Sequence, residues 1–218
     1  MKNQKLPPRW TKEIVSLIEK SKGLILEIGA GDGLGRQVIE KKGNKWVGAD
    51  IKYCSQLTVI ADAHHLPFKN ATFDGVVTIA TFEHLYNPWL ALAEINRVLK
   101  PNGLLTGSVA FLEPYHGSYF HFTHLGLKTI LAENNFQIIY LSPGWFVFES
   151  VFRRFFILPI CSKIIRFLEL ILLKIRRIII FTLLLFKITK NRQQMKKFIE
   201  DDIYRFAGSL IFQARKLN

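Results

Sequence analysis

The stretch from Leu24 to Gly33 limits this chain more than any other. Leu24 to Ile28 is a short apolar run of the kind that forms a buried parallel strand, and it leads directly into Gly29-Ala30-Gly31-Asp32-Gly33. Leu34 to Lys42, which follows, has helical composition. Glycines between a strand and a helix let the backbone turn sharply and come close to a ligand where a side chain would collide. The spacing is Gly-x-Gly-x-Gly, and the dinucleotide pattern Gly-x-Gly-x-x-Gly fails at Leu34. Further along, Lys45 to Ala49, Leu57 to Ala61, Phe73 to Ala80, Leu104 to Ala110, Phe136 to Leu141 and Gly208 to Ala214 read as strands. Pro88 to Leu99 reads as a helix with proline in its first turn, stopped by Lys100-Pro101-Asn102-Gly103, and Thr123 can cap another running to about Asn134. Strands alternating with helices imply an α/β fold with an open, mostly parallel sheet covered on both faces.

Acidic residues recur where the strands end. Asp50 closes the second strand, where a carboxylate can accept both hydroxyls of a ribose. Asp62-Ala63 closes the third, Phe73-Asp74 opens the fourth, and the fourth ends at Ala80-Thr81-Phe82-Glu83-His84. In such a sheet these ends share one edge, at the switch point where open α/β folds bind ligands.

With those residues in view, the chain resembles class I S-adenosylmethionine-dependent methyltransferases, and more closely the type 11 methyltransferase group. The matching stretches are Glu27 to Gly33, Gly48-Ala49-Asp50, Asp62 through Leu66-Pro67-Phe68, Phe73-Asp74, Glu83-His84-Leu85 with Asn87-Pro88, and Glu94 through Arg97 to Gly103. His121-Phe122-Thr123 with Gly126-Leu127, then Asn134-Asn135-Phe136, is similar to the approach to the sixth strand in that group. The resemblance implies a Rossmann-like sheet of seven strands in the order 3-2-1-4-5-7-6 with the seventh antiparallel. It implies S-adenosylmethionine as cofactor, with Gly29, Ala30, Gly31 and Gly33 passing under the methionine part and Glu27 positioning its amino group indirectly. Asp50 and Ile51 would then meet the ribose, Asp62 and Ala63 the adenine, and the backbone at Ala80 the amino-acid moiety. His121 stands where many relatives carry arginine, and Asn102-Gly103 replaces a common Gly-Gly.

Methyl transfer from a sulfonium needs alignment above all, and a hydroxyl acceptor also gains from a general base. His84 is the candidate base because it follows the fourth strand at the cofactor edge and imidazole titrates near neutrality; capping or packing the following helix is its alternative role. Glu83, Tyr115, His116, Tyr119 and His121 are the acceptor-side candidates, with Glu113 and His124 in the same cluster. His116, His121 and His124 match no common metal-ligand spacing, so no metal is expected. His64-His65 reads as a surface or packing pair near the adenine end. A nucleic-acid acceptor is disfavoured: Ala80-Thr81-Phe82-Glu83 lacks the Asn/Asp-Pro-Pro-aromatic signature of base amino-methylation, and neither Cys54 nor Cys161 is placed as a nucleophile.

The net charge of +13 is unevenly distributed. Met1 to Gly144 holds fifteen Lys/Arg against twelve Asp/Glu, whereas Trp145 to Asn218 holds fifteen against five. The expected organisation is an N-terminal segment over 1–22, a cofactor-binding core over 23–144, a basic amphipathic helical insertion over 145–207, and the last strand over 208–218. From Lys163 to Arg177 the charges fall within roughly 160° of a helix, with Ile164, Ile165, Phe167, Leu168, Ile171, Leu172, Ile175 and Ile178 opposite. No run reaches the roughly 18 charge-free residues of a spanning helix. A basic face opposite an aliphatic one suits a helix lying on an anionic membrane surface. Two cysteines and a polar start without an apolar leader lead to the expectation of a cytoplasmic protein, peripheral on the inner face of the membrane. The function expected is methylation of a hydroxyl on a lipid, quinone or lipid-linked glycan. A soluble small-molecule methyltransferase whose insert forms a homodimer, and a non-catalytic membrane-associated module retaining the fold, are the alternatives.

Overall fold

The computed structural model describes residues 6–113, 116–145, 147, 167, 168, 170–172, 174, 175, 178 and 201–217. Two compact units divide the chain: Met1–Ala110, Gly117–Ser142 and Leu210–Asn218 form one, and Phe111–His116 with Pro143–Ser209 the other.

The elements run α1 (Lys12–Ile18), β1 (Leu24–Ile28), α2 (Gly35–Glu40), β2 (Lys45–Asp50), β3 (Val59–Ile60), β4 (Phe73–Ile79), α3 (Pro88–Val98), β5 (Leu99–Ala110), α4 (His124–Glu133), β6 (Phe136–Pro143) and β7 (Ser209–Lys216). They build a seven-stranded sheet in the order β3-β2-β1-β4-β5-β7-β6, the order the resemblance implied. β1 lies inside the sheet, pairing parallel with Lys45–Ala49 of β2 on one side and Gly75–Thr78 of β4 on the other. That central place explains its unbroken apolar run, since a parallel strand covered on both faces has no solvent side. The helix starts follow local chemistry. The side chains of Thr11, Asn87 and Thr123 accept from the amides of Ile14, Leu90 and Gly126, capping α1, α3 and α4.

α3 turns Ala91, Leu92, Ile95 and Val98 inward, and each is at most 1% exposed. Another cluster gathers Trp10, Ile14, Leu17 and Ile18 against Ile25, Ile39, Trp46, Val77 and Ile211. It draws the N-terminal segment into the core, where the sequence signalled only a polar start; α1 is the element pattern reading missed.

Further boundaries differ, and β6 and β7 each run two residues beyond their expected ends, to Pro143 and Lys216. β3 shrinks to Val59–Ile60: the Leu57 amide is held in a turn by Cys54 O, and Thr58 meets Gly48 through its amide, which donates to Gly48 O, and its hydroxyl, which accepts from Gly48 N. α2 covers only Gly35–Glu40 of the expected Leu34 to Lys42. Lys100-Pro101-Asn102-Gly103 ends α3 as expected but then continues as strand. Asn102 takes a left-handed φ of 63°, and the β4–β5 register jumps from Phe73↔Leu99 to Gly75↔Leu104, so the turn residues form a bulge at the start of β5.

The expected insertion falls largely outside the described residues. Within it, Phe167, Leu168, Ile171, Leu172, Ile175 and Ile178 are helical and exposed, and at about 100° per residue they share one arc of roughly 140°. Among the described residues no helix is long and apolar enough to cross a membrane.

Candidate active site

The C-terminal ends of β1, β2 and β4 open onto a cleft of about 420 Å³ lined by Gly29, Asp50, Ile51, Asp62, Ala63, His64, Ala80, Thr81, His84, Tyr86 and Tyr119, among others. Gly29 has a φ of 71°, and a side chain there would collide with the Thr81 hydroxyl, so the turn leaving β1 requires glycine on both counts. At Gly31 an added methyl would meet only open space, which leaves room for a ligand against the loop. The Gly31 amide donates to Asp50 Oδ2 at 2.8 Å and the Lys52 amide to Asp50 Oδ1 at 3.0 Å. Each oxygen is thereby oriented by one backbone bond and keeps a lone pair for a hydroxyl.

Asp62 is fixed by a neighbour that local pattern reading took for a surface or packing residue. His64 is 3% exposed, and its Nδ1 lies 2.6 Å from Asp62 Oδ1, which also accepts from the His64 amide at 2.9 Å. His64 Nε2 accepts from the Asn87 amide at 3.3 Å, so in the neutral ring the proton sits on Nδ1 and is donated to Asp62. The ring stacks on Tyr86 with centroids 4.1 Å apart. The backbone and side-chain bonds from His64 hold the Asp62 carboxyl below its ordinary range despite some burial. His65, by contrast, is exposed.

The loop carrying Asp62 is tied down from α3. Arg97 donates to the carbonyls of Leu66 and Phe68 and to Asn70 Oδ1, while Glu94 accepts from the Leu66 amide. A two-pronged bond between Arg97 and Glu94, both contacts at 2.8 Å, keeps Glu94 ionised below its ordinary range.

A smaller cavity of about 180 Å³ shares Gly29 and is lined further by Glu27, Ala30, Asp32, Leu34, Gly35 and the segment Pro7 to Trp10. Glu27 is 4% exposed and accepts from Trp46 Nε1 at 2.7 Å. Burial pushes its carboxyl up to about 7 against the lowering effect of the Trp46 bond, with the Asp50 charge adding to the rise. A side chain at Gly35 would overlap that carboxylate, so Gly35 belongs to the site as well. Its signal was present in the sequence, since Gly29, Gly31, Gly33 and Gly35 recur at every second position.

Of the acceptor-side candidates, Tyr119 lines the larger cleft and is 70% exposed. His84, the candidate base, is exposed at the same cleft from a single 3₁₀ turn, Phe82–His84. Glu83 does not line it. The Glu83 side chain is fully buried, with Oε1 accepting from the Ala110 amide at 3.3 Å, while its carbonyl accepts from Tyr119 and Phe120. Glu83 thus positions the chain that carries Tyr119. His121 is exposed and is not among the lining residues. His116 belongs to the other unit, with Nδ1 3.6 Å from Glu113, and Tyr115 lies outside the described residues. At Ala80, where φ is 50°, the amide is already donated to Ser108 O, which leaves the carbonyl as its backbone group for a ligand.

A glycine turn after β1, acids at the ends of β2 and β3, and this strand order define the class I methyltransferase fold. Residues 26–106 match the family model of a methyltransferase domain, the type 11 group. The chain is 32% identical over 108 residues to an uncharacterised protein of Methanocaldococcus jannaschii, covering 45% of this chain and 41% of that one. It is 29% identical over 112 residues to the demethylmenaquinone methyltransferase of Thermobifida fusca, covering 44% and 48%. The match therefore spans less than half the length of either relative. The 1,6-didemethyltoxoflavin-N1-methyltransferase of Burkholderia thailandensis, solved with S-adenosylhomocysteine, shares the fold with a TM-score of 0.59 at 16% identity, over 95% of this chain and 78% of that one. Residues 26–106 are thus similar to a type 11 methyltransferase domain, on a fold shared with solved S-adenosylmethionine-dependent methyltransferases.

Proposed function

We propose that this chain is an S-adenosylmethionine-dependent methyltransferase that works at a membrane surface on a hydroxyl of a lipid, quinone or lipid-linked glycan. The observation that carries the cofactor half of this reading is the single cleft lined by Gly29, Asp50, Asp62 and Ala63, with the Glu27 cavity sharing Gly29. Asp50 offers two oriented acceptors for a ribose diol, and Asp62, backed by His64, offers an acceptor for an exocyclic amine. The bound cofactor would supply an activated methyl on a sulfonium. The chain's own work is then to align the acceptor and exclude water, which is worth about 7–11 kcal/mol when orientation is good. His84 takes the hydroxyl proton from the open side of the cleft, and Tyr119 flanks the same approach.

The acceptor half rests on the exposed apolar arc at Phe167, Leu168, Ile171, Leu172, Ile175 and Ile178 in a strongly basic part of the chain, together with the similarity to a demethylmenaquinone methyltransferase. Calorimetric titration with S-adenosylmethionine is expected to show micromolar binding that Asp50→Ala weakens by about 100-fold, since charge-assisted bonds to both ribose hydroxyls are lost. Binding unchanged by Asp50→Ala would remove the cofactor reading. Flotation with anionic vesicles tests the location separately: folded protein left at the bottom would confine the proposal to soluble acceptors.

A further inference from the structure

The residues before α1 fold into a turn that is expensive in an informative way. The Trp10 amide donates to Pro7 O at 3.1 Å, closing a four-residue turn with Pro8 and Arg9 at its corners. Pro8 suits the first corner. Arg9 occupies the second with a φ of 67°, in the left-handed region where turns of this kind take glycine or asparagine. The strain is imposed from inside the protein, because Trp10 is 8% exposed and packed with Ile14, Leu17, Ile25 and Trp46. Strained non-glycine residues that the surrounding fold enforces concentrate at ligand sites.

The turn stands at such a place. Pro7, Pro8, Arg9 and Trp10 wall the cavity of about 180 Å³ together with Glu27, Gly29, Asp32 and Gly35. Among the charged residues lining that cavity, Arg9 is the cation and Glu27 and Asp32 are the anions. One guanidinium set against two carboxylates complements a zwitterionic α-amino acid head, whose carboxylate matches the planar fork of arginine and whose ammonium matches the acids.

We infer that Arg9 is a cofactor-binding residue, its guanidinium pairing with the α-carboxylate at the amino-acid end of the cofactor while Glu27 and Asp32 attend to the ammonium. This rests on the cofactor reading above and assigns the N-terminal turn a part in it. The left-handed corner is the cost of presenting a long cation at that wall.

The test compares wild type, Arg9→Gly and Arg9→Lys by calorimetry with two probes, S-adenosylhomocysteine and 5′-methylthioadenosine, the second lacking the amino-acid head. Arg9→Gly is expected to weaken S-adenosylhomocysteine by about tenfold or more while leaving 5′-methylthioadenosine within about twofold. Arg9→Lys, which keeps the charge and loses the fork, is expected to fall between. Because glycine relieves the corner, the free Arg9→Gly protein is expected to hold its melting temperature or gain as much as about 2–4 °C. A residue that served only the turn would not separate the two probes. Arg9→Gly binding S-adenosylhomocysteine like wild type, or losing both probes equally, would overturn the inference. Folded wild type that binds neither probe would overturn the cofactor reading itself.

Discussion

At the proposed adenine end of the cleft, Asp62 is held ionised by the amide and ring of His64, and its loop is laced to α3 by Arg97. At the proposed methionine end, burial drives Glu27 the other way, up to about 7, with one indole N–H as its hydrogen-bond donor. Two carboxylates, on β1 and just after β3 with β2 between those strands, thus differ in protonation near neutrality because one accepts several bonds from His64 and the other is buried with one donor. The difference suits their proposed ligands. A neutral exocyclic amine donates well to an acceptor already ionised and oriented. A cationic ammonium instead supplies the charge that a buried carboxylate lacks, drawing the Glu27 proton off as it arrives.

The largest effect expected from this contrast is in pH. Glu27 has a folded value of about 7 against 4.5 for the ordinary carboxyl, so its contribution to stability is complete below about pH 4.5 and is lost as pH rises through 7. The loss amounts to about 3 kcal/mol. Asp62 and Glu94, whose values are lowered, change stability only at pH more acidic than the window from 5 to 7 in which Glu27 acts. Thermal unfolding of the free protein should therefore show stability falling across that window, and Glu27→Gln, which keeps an acceptor for Trp46, should flatten the fall. A wild-type profile as flat as that of the variant would end the contrast.

A smaller effect is expected at the other end. His64→Ala leaves the Asn87 amide without its acceptor and removes the ring's bond to Asp62 Oδ1 while keeping the backbone one, and should weaken 5′-methylthioadenosine by about tenfold. His64→Asn, which restores a short donor and acceptor, should recover part of that loss. Glu27→Gln, in turn, should leave 5′-methylthioadenosine affinity within about twofold; a loss equal to that of His64→Ala would mean that the two ends are not independent.

The smallest effect sharpens the boundary of the adenine end. The Asn87 side chain caps α3 by accepting from the Leu90 amide at 3.1 Å, whereas its backbone amide serves His64. Asn87→Ala should cost about 1 kcal/mol in chemical denaturation and leave nucleoside affinity within about twofold, since the amide remains. An affinity loss equal to that of His64→Ala would move the cap into the binding machinery.

Most of the framework could be read along the chain, because it is written in short-range signals. Apolar runs ending in glycine or aspartate mark the parallel strands, and Pro88 and Thr123 mark helix starts. Gly29, Asp50 and Asp62 reach one cleft because parallel topology puts consecutive strand ends on one edge. The misreadings share a cause. Lys100 to Gly103 has the composition of a turn, and only its pairing beside β4 turns it into a bulge; Glu83 has the composition of a cleft acid, and only the tertiary structure buries its side chain against the Ala110 amide and sets its carbonyl under the amides of Tyr119 and Phe120.

What the amino-acid order determined by itself is therefore the class of fold, the strand edge that binds and the acids presented there, since each depends on residues within a few positions of one another. What the tertiary structure decided is the environment of those groups. Glu27 rises because burial removes it from water, against the lowering bond from Trp46 on the adjacent strand, and Asp62 falls because a buried His64 donates to it and is itself braced by Tyr86 and Asn87. Arg9 lines the cavity shared with Gly29 because Trp10, one residue on, is buried in the core. Solvation and charge fall off over distances in space rather than along the chain, so no local pattern could have carried them.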